Sequence, residues 1–91
     1  MIILVPTPLR PFAGGLDAVK VSADTVAEAL TGLTLAHPEL RRHLFTSDGK
    51  LRAFVNLYLN DEDVRYLPEK EATAVKAADT LSIIPSIAGG D

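Results

Sequence analysis

The chain lacks cysteine, a net positive charge and any long apolar run, and each absence removes a class of function. Without cysteine it can form no disulfide, no thiolate metal site and no thiol nucleophile. Its formal charge is -3 and its pI about 5.2, which disfavours binding to a phosphate backbone. No apolar run approaches the length of a membrane span, and the opening MIILV is too short for the core of a signal peptide. We therefore expect a cytoplasmic protein that binds neither nucleic acid nor membrane.

The sequence does contain enough apolar residues for one small domain. Apolar residues make up 47% of the 91 positions, which indicates a compact core. A chain of this length fits one domain and leaves little room for a second. We therefore predict a single domain over residues 1–91, with a flexible tail at residues 88–91.

The first half of the chain predicts two strands followed by helices. Residues 2–5 are a continuous apolar run typical of a buried strand, and residues 18–22 alternate as a half-buried strand does. The prolines and glycines between them predict a loop, so the two strands should pair as a hairpin. Thr25 and Glu28 fit a capping box, and the apolar residues after them recur at helical spacing. Pro38 should open a second, short helical turn.

The second half of the chain predicts three further strands. Residues 53–59 alternate between two faces, residues 64–67 suit a short edge strand, and residues 81–87 suit the last strand. Residues 60–63 should make the turn between the first two, and residues 68–76 should be irregular or briefly helical. Strands mixed with one main helix predict an α+β fold in which the helix packs on one face of the sheet.

The histidines and the acidic run give weak signals for a metal site. His37 and His43 are six positions apart and do not share a helix face. No carboxylates stand at fitting spacing beside them, so we expect no metal. Residues 61–63 are acidic but lack the alternating ligands of a calcium loop. A solvated turn is the favoured interpretation, and contact with a basic partner surface is the alternative.

Two aromatic residues, Phe54 and Tyr58, are predicted to lie on the sheet face opposite Val55, Leu57 and Leu59. If the helix covers only one face of the sheet, these aromatic side chains stand on the open one. They could pack against a neighbouring strand, or they could form a docking surface for a partner protein. The sequence favours neither interpretation over the other.

The segment IIPSIAGGD ends in a glycine pair followed by aspartate. A frayed terminus is the simplest interpretation. Because glycine has no Cβ, however, Gly89 and Gly90 could also thread into a narrow active site. A partner enzyme could then activate the carboxyl group with ATP as an acyl-adenylate. This chain has no nucleotide-binding loop, so ATP would bind to the partner, and the chain itself needs no cofactor.

Three segments resemble the ThiS/MoaD family of ubiquitin-like sulfur carriers: ADTVAEAL at residues 23–30, FVNLYLNDEDVR at residues 54–65 and DTLSIIPSIAGG at residues 79–90. The glycine pair placed directly after a last strand is the most specific of these features. The resemblance covers essentially the whole chain and implies a β-grasp fold, with a mixed sheet of about four to five strands. It also implies a carrier that partner enzymes act on, and not an enzyme.

The resemblance further implies how the tail reacts. An E1-like adenylyltransferase would adenylate the α-carboxyl of Gly90, and sulfur would then replace an oxygen to give a thiocarboxylate. Gly89 would supply the freedom to thread, and sulfur would travel on the main chain, which fits a protein without cysteine. The resemblance also implies four residues that contact partners: Phe54, Tyr58, Ile87 and Ala88.

The resemblance identifies the sulfur acceptor less specifically than it identifies the chemistry of the carrier. The RPFAGG loop at residues 10–15 and the segment at residues 55–65 look most similar to the carrier for cysteine synthesis in actinobacteria. There the acceptor is a pyridoxal-phosphate-dependent cysteine synthase. The runner-up is the small subunit of molybdopterin synthase, which serves that enzyme's large subunit, and a thiamine carrier is less favoured. Two other classes stay open: a ubiquitin-like modifier joined to lysines, and an interaction module without chemistry.

Asp91 departs from the simplest family pattern, in which the chain ends at the second glycine. As written, Gly90 has no free carboxyl group. The hypothesis is that Asp91 belongs to a precursor and is removed by a zinc peptidase of the JAB type. The alternatives are that Asp91 is foreign to the natural chain, or that a homologue which only binds tolerates it.

Overall fold

The computed structural model describes residues 1–85, and the tail residues 86–91 lie outside the described part. The strands are β1 (Ile2–Leu4), β2 (Ala18–Lys20), β3 (Val55–Leu59), β4 (Glu62–Asp63) and β5 (Thr80–Pro85). The α-helices are α1 (Val26–Ala36) and α2 (Leu40–Leu44), and the 3-10 helices are Thr7–Ala13, Val64–Tyr66 and Lys70–Ala72.

All five of these strands form one mixed sheet in the order β2-β1-β5-β3-β4. β1 pairs antiparallel with β2, as the predicted hairpin requires, and parallel with β5. β5 pairs antiparallel with β3 on its other side, with Leu57 opposite Ile83. The last strand of the chain is therefore the central strand of the sheet, and neighbours hold it along both edges.

The main helix α1 begins where the capping box predicts. The Glu28 amide donates to Thr25 Oγ1 at 3.2 Å, and the Asp24 amide donates to Glu28 Oε1 at 3.0 Å. The return bond thus reaches one residue further back than in the standard capping box. The first contact supplies a partner for an amide that the first helical turn leaves unpaired, and the second ties the residue before the N-cap to the helix.

The hydrophobic core lies between the helices and one face of the sheet. From α1 it receives Val26, Ala29, Leu30 and Leu33, and from α2 Leu40 and Leu44. The sheet contributes alternate residues of its strands, among them Ile3, Leu57 and Leu81. The helix packs on one face only, so the predicted α+β arrangement is confirmed, and within residues 1–85 no element covers the opposite face.

The predicted edge strand at residues 64–67 is wrong, because residues Val64–Tyr66 form a 3-10 helix. The Asp63 carboxylate accepts a hydrogen bond from the Arg65 amide at 2.9 Å, which caps this turn. The Leu67 amide then donates back to the Val64 carbonyl at 3.1 Å. With these groups paired locally, the segment has no need of a neighbouring strand, and β4 is only Glu62–Asp63.

Other predicted boundaries shift for similar local reasons. The segment between β1 and β2 is not only a loop, because Thr7–Ala13 forms a 3-10 helix that ends at the left-handed Gly14. Its prolines fit this helix because they already have the required φ. The predicted strand at residues 53–59 begins at Val55, whose amide closes a turn by donating to the Arg52 carbonyl at 3.0 Å. The predicted strand at residues 18–22 is shorter too, since β2 ends at Lys20.

Candidate functional site

The start of the central strand is held by a cluster of hydrogen bonds around Asn60. Its side-chain amide donates to Asp79 Oδ1 at 3.0 Å, and its side-chain carbonyl accepts from the Thr80 amide at 2.9 Å. Asp79 Oδ2 in turn accepts from the Lys76 amide at 2.8 Å. These bonds join the β3–β4 turn to the first residue of β5. They hold in place the start of the strand that leads to the tail.

The same bonds lower the pKa of Asp79 below its ordinary value of 3.8, first through the Asn60 side chain and then through the Lys76 amide. The charged carboxylate is therefore favoured in the folded protein. Its contribution to stability is fully present above the ordinary pKa and is lost as the pH falls through the lower folded-state value.

We expect the difference in urea midpoint between the wild type and Asp79→Ala to shrink as the pH falls below 3.8. Urea unfolding followed at several pH values measures it. Glu62→Ala is the matched control, since the Glu62 carboxylate accepts no hydrogen bond within residues 1–85. A midpoint difference for Asp79→Ala that stays constant at acidic pH would contradict the assignment.

The opposite end of β5 is where the chain leaves the sheet. Pro85 stands opposite Val55 at the start of β3, and β1 runs parallel to β5 toward the same end. Residues 86–88 separate Pro85 from the glycine pair. The reactive residues of the predicted mechanism, Gly89 and Gly90, therefore follow closely on a strand that is paired on both sides.

The uncovered side of the sheet carries a surface that we call the open sheet face, made of Leu4, Asn56, Tyr58, Ser82 and Ile84. The register places Leu4 and Tyr58 on either side of Ser82, and Asn56 opposite Ile84. Leu4 is 42% exposed and Ile84 48% exposed, while Tyr58 is half-buried. Exposed aliphatic side chains beside an aromatic ring are typical of a protein docking surface.

The structure separates the two aromatic residues that the sequence paired. Tyr58 lies on the open sheet face, but Phe54 lies in the turn that precedes β3 and is 48% exposed there. The turn bond between Val55 and Arg52 keeps Phe54 out of the sheet's hydrogen-bonding ladder. The other two predicted partner contacts, Ile87 and Ala88, lie outside the described residues, as do Gly89, Gly90 and Asp91. The role of all these residues stays a prediction.

Sequence patterns did not predict that Leu4 and Ile84 belong to the open sheet face. Leu4 lies in a continuous apolar run and Ile84 directly follows the apolar Ile83, so hydropathy alone does not show which side chain points outward. A signal was available in β5, where the polar Ser82 has the same strand parity as Ile84. That alternation indicates that one face of the last strand is only partly buried.

The acidic run lies at the edge of the sheet. Asn60 and Asp61 have φ values of 49° and 75°, and together they form the two-residue turn between β3 and β4. Asp63 forms an ion pair with Arg65 at 2.8 Å. The side-chain and backbone hydrogen bonds from Arg65 lower the pKa of Asp63 below its usual value. The predicted turn is confirmed for residues 60–61 and is wrong for residues 62–63, which pair with β3 as β4.

The histidines do not form a metal centre in the described part of the chain. The His43 ring stacks on Phe12 with ring centroids 3.9 Å apart and an angle of 22° between the planes. Within residues 1–85 no three histidine, aspartate or glutamate side chains are grouped so that they could hold a metal ion. In that same part, no helix is long and apolar enough to cross a membrane.

Comparison with known proteins places the chain in a family. The ThiS family model matches residues 3–90. The sulfur carrier protein CysO of Mycobacterium tuberculosis is 40% identical over 90 residues, covering 97% of this chain and 96% of that protein. The small archaeal modifier protein 1 of Haloferax volcanii is 38% identical over 79 residues, covering 84% of this chain and 85% of that protein.

A solved structure agrees in fold over the whole length. A chain in the crystal structure of the Amycolatopsis orientalis BexX/CysO complex has a TM-score of 0.85 and 37% identity, covering 98% of both chains. The predicted β-grasp fold is confirmed by this match. From the match over residues 3–90 and the relatives above 30% identity, this chain belongs to the ThiS family of ubiquitin-like sulfur carriers.

Proposed function

We propose that this chain carries sulfur as a thiocarboxylate on Gly90 and donates it to cysteine biosynthesis, after Asp91 has been removed. The observation that carries the proposal is a glycine pair just beyond the central strand of a ThiS family domain. The similarity to a sulfur carrier protein CysO over 97% of the chain supports sulfur transfer. It also favours cysteine biosynthesis over the molybdopterin pathway as the destination of the sulfur.

The proposed chemistry begins with release of Gly90. A zinc peptidase of the JAB type hydrolyses the Gly90–Asp91 peptide bond and leaves a free α-carboxylate. That carboxylate attacks the α-phosphate of ATP on an E1-like enzyme, forming an acyl-adenylate and expelling pyrophosphate. Sulfide then displaces AMP, which leaves a thiocarboxylate on Gly90. The carrier supplies the reacting carbonyl, and the partner enzymes supply ATP, zinc and the groups that move protons.

The proposed docking surface for these partners is the open sheet face, together with Phe54 in the turn before β3 and with Ile87 and Ala88, which follow β5 in the sequence. A relative named CysO forms a complex with a second protein, BexX, in a solved structure. The similarity to that relative supports a protein partner for this chain. We infer that a pyridoxal-phosphate-dependent cysteine synthase is the acceptor that docks here.

Replacing Ile84 with serine should weaken binding to this acceptor by about 10-fold, since losing a central apolar contact costs more than about 1 kcal/mol. Calorimetric titration with the purified acceptor measures the change. Leu16→Ser is the matched control, because Leu16 is also 48% exposed but lies in the loop before β2. Equal losses for the two variants, or no loss for Ile84→Ser, would contradict docking through the open sheet face.

The intact mass of the untagged protein from its native host tests the proposed function. We expect a species lighter by one aspartate residue, part of which has one oxygen replaced by sulfur. The same species should lose its extra mass when the thiocarboxylate is hydrolysed to the carboxylate. A protein that retains Asp91 and never carries sulfur, under sulfur starvation as well as in rich medium, would contradict the proposal.

Protein modification is a second candidate function, favoured by the 38% identity to small archaeal modifier protein 1. The same acyl-adenylate of Gly90 would then be attacked by a lysine amine and form an isopeptide bond. Mass spectrometry of the host proteome would distinguish the two functions. Lysines linked to the carboxyl terminus of this chain would support modification, whereas a thiocarboxylate without such conjugates would support sulfur transfer.

A further inference from the structure

Four of the nine lysine and arginine residues form a cluster on a protein whose net charge is -3. We call Arg41, Arg42, Lys50 and Arg52 the basic cluster. Within residues 1–85 the one ion pair joins Asp63 and Arg65, so none of these four cations forms an ion pair with a described carboxylate, although Glu39 and Glu71 line the same surface. Nearly half of the positive charge of an acidic protein is thus gathered in one place, with no ion pair to it from residues 1–85.

The basic cluster is built by a loop that folds back along α2. Phe45 and Leu51 form an antiparallel bridge, and the Thr46 amide donates to the Lys50 carbonyl at 2.7 Å. Arg52 Nε donates to the Arg42 carbonyl at 2.9 Å, which places the second half of the cluster beside the first. Backbone bonds therefore hold the loop against α2, and one bond from the Arg52 side chain fixes that residue beside Arg42.

The basic cluster borders an apolar groove of about 910 Å³ between α1 and the loop that precedes β3. The residues that line it include Leu30, Phe45, Leu51 and Val55. Leu35 lies at its rim and is 76% exposed, although it is a large apolar side chain. Its charged lining consists of four cations and one carboxylate, namely Arg41, Lys50 and Arg52 of the cluster together with Arg65 and Glu71, so the cations outnumber the acid. We call this region the basic groove.

We propose that the basic groove binds a partner-protein segment that carries carboxylates and apolar side chains together. The apolar lining and the exposed Leu35 need apolar side chains to cover them, and the unpaired cations need carboxylates. An inorganic anion would leave the apolar lining uncovered, and so would a nucleic acid backbone. The groove is also distinct from the open sheet face, because α1 packs on the other side of the sheet.

The position of the groove links it to the tail. Val55 lines the groove and is the register partner of Pro85, the last described residue before the tail. A partner segment in the groove would therefore lie near the base of the tail and could hold the carrier while the open sheet face engages another surface. Because the binding needs no reaction at Gly90, it stands independently of the proposed sulfur chemistry.

A titration of the ¹⁵N-labelled full chain with two synthetic peptides tests the proposal. One peptide contains glutamate, leucine and phenylalanine, and the other has glutamine in place of every glutamate. We expect the acidic peptide to shift amide signals of residues 41–52 and to bind about 10-fold more tightly than the neutral one, with an affinity that falls as salt is added.

Variants with equal changes of charge complete the test. The double variant Arg41→Gln, Lys50→Gln should bind the acidic peptide about 10-fold more weakly. The control Lys20→Gln, Lys76→Gln loses the same charge outside the groove and should change affinity by less than about twofold. Leu35→Ser should weaken both peptides, because it removes an apolar contact while leaving the charge unchanged. All of these side chains are exposed, so the variants should fold.

Four outcomes would overturn the proposal. The first is an absence of saturable binding of the acidic peptide. The second is that the shifts fall on the open sheet face, around Leu4 and Ile84. The third is an equal loss of affinity in the two double variants. The fourth is that inorganic phosphate or a DNA duplex shifts the same amides and displaces the peptide, which would show a general anion surface.

Discussion

A chain that ends at Gly90 should support ATP–pyrophosphate exchange by its E1-like activating enzyme, whereas the chain that retains Asp91 should not. In the longer chain the Gly90 carbonyl belongs to a peptide bond. The nearest carboxylates, those of Asp91, are displaced by about one residue, or roughly 3.5 Å. A misplacement of about 1 Å already costs about 100-fold in rate, so we expect at least that loss of exchange.

Two further variants of the chain distinguish the effect of the terminal carboxylate's position from the effect of the Asp91 side-chain charge. A chain that ends at Gly89 moves the carboxylate back by one residue and should also be inactive. The Asp91→Ala chain keeps the added length without the side-chain charge, so its inactivity would show that position decides. Equal exchange with and without Asp91 would contradict the precursor hypothesis. Absence of exchange from the chain that ends at Gly90, with its fold intact, would contradict the adenylation step.

Replacing Leu33 with alanine should lower the free energy of unfolding by about 2–5 kcal/mol, because a buried Leu→Ala change loses transfer free energy and leaves a cavity. Leu33 is fully buried on the inner face of α1. A domain of this kind is stable by only about 5–15 kcal/mol, so the loss is a large fraction of the total. Urea unfolding at constant m-value measures it.

Leu35 provides a matched control for Leu33 two positions along the same helix. It is 76% exposed, so Leu35→Ala should change stability by no more than about 0.5 kcal/mol. Both substitutions have the same effect on helix propensity, and the difference between them therefore reports burial. Equal losses for the two variants would mean that α1 does not pack on the sheet through the face described.

The elements that the sequence predicted well are those with local causes. The capping box at Thr25 and Glu28 needs only contacts within one turn, and the start of α1 was predicted to the residue. The apolar residues that follow at helical spacing, among them Leu30 and Leu33, are buried as that spacing predicts. In each case the interacting groups are close in sequence, so the local pattern of residues is sufficient to predict the element.

The elements that the sequence missed depend on contacts that no periodicity shows. Residues 64–67 have the apolar content of a strand, but the Asp63 carboxylate caps a 3-10 helix there. The basic cluster joins α2 to residues several positions beyond it, through the bond from Arg52 to Arg42. Phe54 and Tyr58 have the same strand parity, yet the turn at Arg52 separates them.

The sequence by itself determined the start of α1, the helical spacing of its apolar residues and, through the glycine pair after the last strand, the family and its expected chemistry. Only the tertiary structure decided that β5 is the central strand, which residues form the open sheet face, and that a basic groove lies between α1 and the loop that precedes β3. The physical reason is the separation in sequence between the residues that interact. Caps and helical faces arise between residues a few positions apart, whereas strand order, register and surface charge clusters depend on pairings between distant segments that a one-dimensional pattern does not specify.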